Sequence, residues 1–254
     1  SGTIDESIRH AITKFAHIHF PACDGAKERI IRLGEDPNHV HMVGCPRIDL
    51  VADLLSSNNF GINSNLFSSG VGSPLDLDKP FVLISQHPVT TEFGEGEKQI
   101  LNTLEAVREV NMPAIVLWPN ADAGSDDISQ GIRKWRESKL DGEMHFFKNL
   151  PVEDYILLMN KTSCLLGNSS SGIREGAFIG TPVVNIGSRQ NARDRGKNVI
   201  DTNYRKNEII NALSFQISHG KYQSEAIYGD GNAGKKIADI LSKENVEIQK
   251  TITY

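Results

Sequence analysis

The run "CLLGNSSSGIREGAFIGTPVVNIGSRQNAR", Cys164 to Arg193, places four small polar residues, Asn168 to Ser171, directly after an apolar segment. Gly172 and Glu175 follow, then a second apolar segment, then Arg189 and Arg193. These residue types at this spacing suit an anion. Ser169 and Ser170 can donate hydroxyl and backbone N–H bonds, and a helix opening at Gly172 adds its dipole. Gly172 lets the main chain approach the anion closely. Glu175, one turn in, can accept two hydroxyl hydrogens, as a ribose diol would offer. Arg189 and Arg193 can add charge-assisted bonds to phosphate. The alternative reading of the same residues is a serine N-cap beside a surface ion pair.

Two more polar residues follow apolar runs: His87 after "FVLISQ" and Asn120 after "AIVLWP". A lone loop histidine is compatible with a hydrogen-bonded spectator role. If the apolar runs are parallel strands, however, His87, Asn120 and Ser169 all stand at carboxyl ends. They then converge on one edge, where open α/β sheets hold ligands. The other histidines form no HExxH or comparable ligand set, so no metal is indicated. Asp5 and Glu6 open a helix, where carboxylates suit the dipole, and the physics there does not separate capping from catalysis. Gly229 to Gly234 matches GxGxxG literally, but no second strand follows to complete a βαβ unit. That segment reads as a glycine turn aiming the last helix, and no dinucleotide cofactor is expected.

Positioning these residues requires strands and helices in alternation. "FVLISQHP" reads as a buried strand and "EKQILNTLEAVREV" as an amphipathic helix. "AIVLWPN" is the next strand, and "DDISQGIRKWRE" the next helix, with Ser125-Asp126 as its cap. "MHFFKNL", "SCLLG", "TPVVNIG" and "KNVIDT" continue the strands, with helices at "VEDYILLMNKT", from Gly172, and at "KNEIINALSFQIS". Continuous apolar strands separated by helices indicate an α/β, Rossmann-like parallel sheet covered on both faces. In residues 1–45, two helices each lead into a short strand, "HIHFPA" and "HVHMVG". Residues 56–79, rich in Ser, Asn and Gly, read as a surface loop or linker, and "NAGKKIADILSKENVEI" as an amphipathic last helix. No repeat of fixed period is present.

With 254 residues, 39% hydrophobic and 23% charged, the chain suffices for one large domain or two small ones. A net charge of −5 argues against nucleic acid or anionic lipid as partner. Cys23, Cys45 and Cys164 are scattered and lack CxxC spacing, so no disulfide framework or zinc knuckle is read. With neither a membrane-length apolar run nor a signal pattern, a cytoplasmic protein is expected.

Taken together, "SGTIDESIRHAITK", "GCPRID", "QHPVTT", "WPNADAGS", "GNSSSGIREGAFIGTPVVNIGSRQNAR" and "YGDGNA" resemble the UDP-N-acetylglucosamine 2-epimerases. The hydrolysing branch, which feeds sialic acid and related nonulosonate synthesis, is the most similar. The resemblance implies a glycosyltransferase-B (GT-B) arrangement of two Rossmann-like domains, with a last helix crossing back to the first. Residues 1–45 would then end an N-terminal domain whose earlier part lies ahead of Ser1. Residues 46–234 would form the UDP-binding domain and 235–254 the crossing helix. The implied UDP contacts are His87, Asn120, Ser169, Ser170, Glu175 and Arg189, with the serines on the diphosphate and Glu175 on the ribose. Asp5 matches an acidic position implicated in catalysis, and His87 lies near the reacting sugar. The implied reaction turns UDP-N-acetylglucosamine and water into N-acetylmannosamine and UDP through a 2-acetamidoglucal, without a cofactor. A homodimer or higher assembly is implied, and little turnover is expected from residues 1–254 alone.

Overall fold

The computed structural model describes residues 5–57, 61–138, 142–245, 249–251 and 253. Seven strands occur among them: β1 (Val71–Gly72), β2 (Val82–Ser85), β3 (Ala114–Leu117), β4 (Met144–Phe147), β5 (Cys164–Gly167), β6 (Val183–Ile186) and β7 (Val199–Thr202). The helices are α1 (Asp5–Phe15), α2 (Asp24–Arg32), α3 (Pro46–Ser56), α4 (Gly96–Glu109), α5 (Ser125–Glu137), α6 (Val152–Lys161), α7 (Ser170–Ile173), α8 (Glu175–Ile179), α9 (Lys206–His219) and α10 (Ala233–Leu241). The chain divides into two units, Asn58–Glu225, and Ile4–Ser57 with Ala226–Tyr254.

In the first unit the sheet order is β1-β4-β3-β2-β5-β6-β7. Strands β2 to β7 are parallel throughout. All four residues of β2, β4, β5 and β6 are buried, as expected of parallel strands covered on both faces. Each buried aliphatic side chain there contributes about 1.5–3 kcal/mol. On one face Val82, Ile84, Val116 and Leu166 pack with Ile100, Leu104, Ile132 and Leu213 of α4, α5 and α9. On the other, α7 lies so close that a Cβ on Gly172 would meet Val183 at 2.9 Å and Leu165 at 3.1 Å. The chain builds outward from β2 to β4, then returns to the other side of β2 for β5. That reversal is a topological switch point, where open α/β sheets bind ligands. Ser85 pairs with Gly167 there, so the two strands end level and their following residues leave the sheet together.

The expected 56–79 linker is more ordered than its composition indicates. Val71–Gly72 adds an antiparallel edge to β4, and the Phe67 ring lies 4.8 Å from His145 and 6.0 Å from Phe147. His145 Nδ1 donates to the Ser73 carbonyl at 3.1 Å. A two-residue strand is too short to register as a period. The cap of α5 is Gly124, not Ser125 or Asp126. The helix expected from Gly172 begins earlier, at Ser170, with Ser169 as its cap, and breaks at Arg174 before α8.

The second unit holds α3, which the sequence reading left unassigned. Pro46 opens it and Ile48, Val51 and Leu54 are buried. The strands expected at "HIHFPA" and "HVHMVG" reduce to one parallel bridge between His19 and Val40. Buried Glu35 accepts from Lys14 at 2.9 Å, His19 at 2.9 Å and Lys250 at 2.6 Å. Burial pushes its carboxyl up, but the three donors outweigh this and hold it at about 2. Asp49 caps α10, accepting from Ala233 N–H at 2.9 Å and Gly234 N–H at 2.7 Å. The GxGxxG segment therefore spends these N–H groups on a protein carboxylate and serves as a turn. Residues 46–57 and 226–234 group with this unit, so its extent differs from the expected boundaries at 45 and 234.

Candidate functional site

The edge beyond β2 and β5 is organised by Asn168, which is 1% exposed. Its Oδ1 accepts the His87 N–H at 2.7 Å and its Nδ2 donates to the His87 carbonyl at 2.8 Å. Its own N–H donates to the Ser85 carbonyl at 3.1 Å, and its carbonyl accepts from Gln190 Nε2 at 2.8 Å. Asn168 thus continues the ladder past the last strand residues. Gly167 makes this approach possible: its φ is +136° and a Cβ would overlap the Ser85 carbonyl oxygen.

His87 is 6% exposed. Its Nδ1 accepts the backbone N–H of Asn120 at 3.2 Å, and its Nε2 lies 3.4 Å from Ser85 Oγ. Burial, reinforced by the Arg189 charge and partly opposed by Asp122, lowers its pKa to about 4. The ring is therefore neutral at pH 7, with Nδ1 accepting and Nε2 carrying the hydrogen. Asn120 itself is exposed, and its visible role is through its main chain.

Ser169 Oγ accepts the Ser171 N–H at 3.4 Å, and Ser170 Oγ accepts from Arg174 at 3.4 Å. The four-residue α7 offers little of the dipole expected from a longer helix. Gly172 is buried, and its missing side chain lets α7 pack closely on Leu165 and Val183 of the sheet. Glu175 is 4% exposed and lies 3.4 Å from Arg174 Nε. Arg189 lies on the loop after β6, donating to Asp122 at 3.1 Å and to the Asn168 carbonyl at 3.5 Å. Its buried Nε has no hydrogen-bond partner among the described residues. The side chain of Asp5, at the head of α1, lies outside the described part of the structure.

His87, Asn120, Ser169, Ser170 and Arg189 are thus gathered at one sheet edge. Sequence reasoning missed Asn168 as their organiser, Asp122 as the Arg189 counter-ion, and Tyr155, whose hydroxyl lies 2.6 Å from Ser171 Oγ. The position of Asn168, first after an apolar strand, was the available signal. The arrangement gathers serine hydroxyls, a neutral imidazole and a guanidinium at one edge. No group of His, Cys, Asp and Glu among the described residues could hold a metal ion. Nor is any described helix long and apolar enough to cross a membrane.

Known proteins share this fold and sequence. A UDP-N-acetylglucosamine 2-epimerase from Neisseria meningitidis bound to UDP-GlcNAc superposes with a TM-score of 0.78 at 18% identity, covering 96% of this chain and 66% of that one. The Methanocaldococcus jannaschii UDP-GlcNAc 2-epimerase in complex with UDP-GlcNAc and UDP gives 0.69 at 15% identity, covering 90% and 62%. In sequence, the hydrolysing UDP-N,N'-diacetylbacillosamine 2-epimerase of Legionella pneumophila is 34% identical over 241 residues, 95% of this chain and 61% of that protein. The UDP-N-acetylglucosamine 2-epimerase of Neisseria meningitidis is 29% identical over 256 residues, 98% and 65%. The chain therefore spans 61% and 65% of the lengths of these two relatives. The profile of the UDP-N-acetylglucosamine 2-epimerases matches residues 1–242, and the chain belongs to that family.

Proposed function

We propose that this chain carries the nucleotide-binding half of a hydrolysing UDP-N-acetylglucosamine 2-epimerase. The observation that carries the reading is the convergence of His87, Ser169, Ser170 and Arg189 at the switch point between β2 and β5. In the proposed reaction the proton at C2 of the sugar is removed, the C1–O bond breaks, and UDP leaves. Water then adds to the 2-acetamidoglucal, giving N-acetylmannosamine. Sugar carbon undergoes no net oxidation, so no redox cofactor enters. Ser169 and Ser170 donate to the diphosphate, Arg189 offsets the charge that grows on it, and Glu175 takes the ribose hydroxyls. Donors aimed at a developing charge contribute roughly 3 kcal/mol each to lowering the barrier.

Asp122 and Glu175, two carboxylates at this edge, are each paired with an arginine. The base at C2 is therefore assigned outside this edge, with Asp5 as its candidate. A second reading, a bacillosamine-type sugar nucleotide as substrate, is favoured by the name of the Legionella relative. Proton NMR with each sugar nucleotide in heavy water tests the proposal. Uridine resonances broadened by binding are expected. Any N-acetylmannosamine formed would carry deuterium at C2, and UDP-N-acetylmannosamine in its place would mark the non-hydrolysing reaction. Uridine resonances unaffected by the protein would refute the site.

A further inference from the structure

We propose that Glu92 is a positioning residue: by holding Ser188 it fixes the loop that carries Arg189, and so sets how that guanidinium meets a diphosphate. This rests on the strand-end edge being the nucleotide site. Glu92 lies between β2 and α4, directly after the "QHPVTT" segment.

Consecutive residues after β6, Ser188 to Gln190, each reach a different strand end. Ser188 Oγ donates to Glu92 Oε1 at 2.6 Å, in the loop after β2. Arg189 donates to Asp122 at 3.1 Å, in the loop after β3. Gln190 Nε2 donates to the Asn168 carbonyl at 2.8 Å, just after β5. The Ser188 carbonyl also accepts the Asn191 N–H at 2.9 Å, closing a turn around the arginine. The loop is confined behind as well, since a Cβ on Gly187 would overlap the Tyr204 ring. Arg189 thus has a tethered neighbour on either side. Its own partner, Asp122, is 42% exposed, where an ion pair contributes little. The tethers on Ser188 and Gln190 therefore fix where the main chain launches the arginine.

Glu92 is arranged to hold. Its Oε2 accepts from Gln99 Nε2 at 2.7 Å, and Gln99, on α4, is 6% exposed. Both carboxylate oxygens are held by neutral donors, one from a buried helix position and one from the Arg189 loop. An ionised carboxylate only accepts, so Ser188 must point its hydrogen at Glu92. Bonds to an ionised acceptor are short and strong, as these two are. A loop held in place before the ligand arrives spares the cost of ordering it on binding.

The test combines affinity, rescue and the state of Arg189 itself. Glu92→Ala is expected to weaken UDP binding, measured by calorimetry on this chain, about three- to tenfold. Glu92→Gln can accept from Gln99 and donate to Ser188 Oγ, so it should bind UDP within about twofold of wild type. A loss in Glu92→Gln as large as in Glu92→Ala would overturn the tether. In an Arg189→Ala background, Glu92→Ala should cost nothing further, because it acts through that side chain. A second, multiplying loss there would overturn the proposal, as would unchanged affinity in Glu92→Ala. Ser188→Ala breaks the same bond by removing one oxygen, and supplies the comparison if Glu92→Ala does not fold. Nitrogen-15 NMR reads the guanidinium without ligand. The buried Arg189 Nε–H should give a resonance, identified by its absence in Arg189→Ala, that moves or broadens in Ser188→Ala. An unmoved resonance would overturn the proposal. If the wild type shows this behaviour but binds no UDP, the nucleotide reading fails and the tether stands.

Discussion

The side chain of Asn168 pairs with the main chain of His87 at both its oxygen and its nitrogen, 2.7 and 2.8 Å, across the two strands that flank the switch point. A single amide thus does the work of another rung of sheet, and it sets His87 and Ser169 at fixed positions from each other.

Replacing Asn168 by alanine leaves a buried N–H and a buried carbonyl of His87 unpaired. A loss of about 2–4 kcal/mol is expected, read as a lower urea midpoint at unchanged m. Asn168→Asp keeps only the acceptor and should retain part of the stability. Equal midpoints for wild type and Asn168→Ala would mean that the pairing contributes nothing net.

Arg189→Ala is expected to weaken UDP binding by at least about tenfold, since a charge-assisted bond to phosphate is worth roughly 1.5–3 kcal/mol. Its dependence on ionic strength should flatten as well. Ser170→Ala should cost less, because Ser170 is one neutral donor. Calorimetry with UDP decides this, and unchanged affinity in both variants would remove the assignment of the diphosphate to this edge.

Acidification should destabilise the fold through His87. Its pKa is lowered from 6.5 to about 4 by burial and Arg189, so the unfolded chain takes up a proton first as pH falls. The stability it contributes is whole above pH 6.5 and is lost between there and pH 4, by up to about 3 kcal/mol. Urea unfolding at pH 7 and pH 4.5 should show a loss that is smaller in His87→Gln. The same slope in both proteins would place the titrating group elsewhere.

Gly167→Ala should be severely destabilising. The added Cβ meets the Ser85 carbonyl, and φ at +136° disfavours any side chain. A cost above about 3 kcal/mol is expected, with loss of UDP binding, because the β2–β5 junction must open to admit the methyl group. A thermal midpoint within a degree or two of wild type would refute this.

The strands were legible because β2, β4, β5 and β6 are buried on both faces and so read as unbroken apolar runs. The polar residues that follow them were legible for the same reason, as interruptions. α3 and β1 were harder to see: one lies in a stretch carrying no assignment, and the other has two residues amid turn-formers. The helix start was read two residues late, at Gly172, which packs against Leu165 and Val183 within α7.

Local sequence therefore determined which segments become strands and which chemical groups stand at their ends, since both depend on residue preferences and burial periodicity. Tertiary structure decided that β5 lies beside β2. From that neighbour relation come the pairing of Asn168 with His87, 81 residues apart, and of Arg189 with Asp122, 67 apart. The hydroxyl of Tyr155 likewise reaches Ser171 only because α6 and α7 cover the same face of the sheet. A hydrogen bond is decided by distances of a few tenths of an ångström, and the packing of the whole sheet sets those distances.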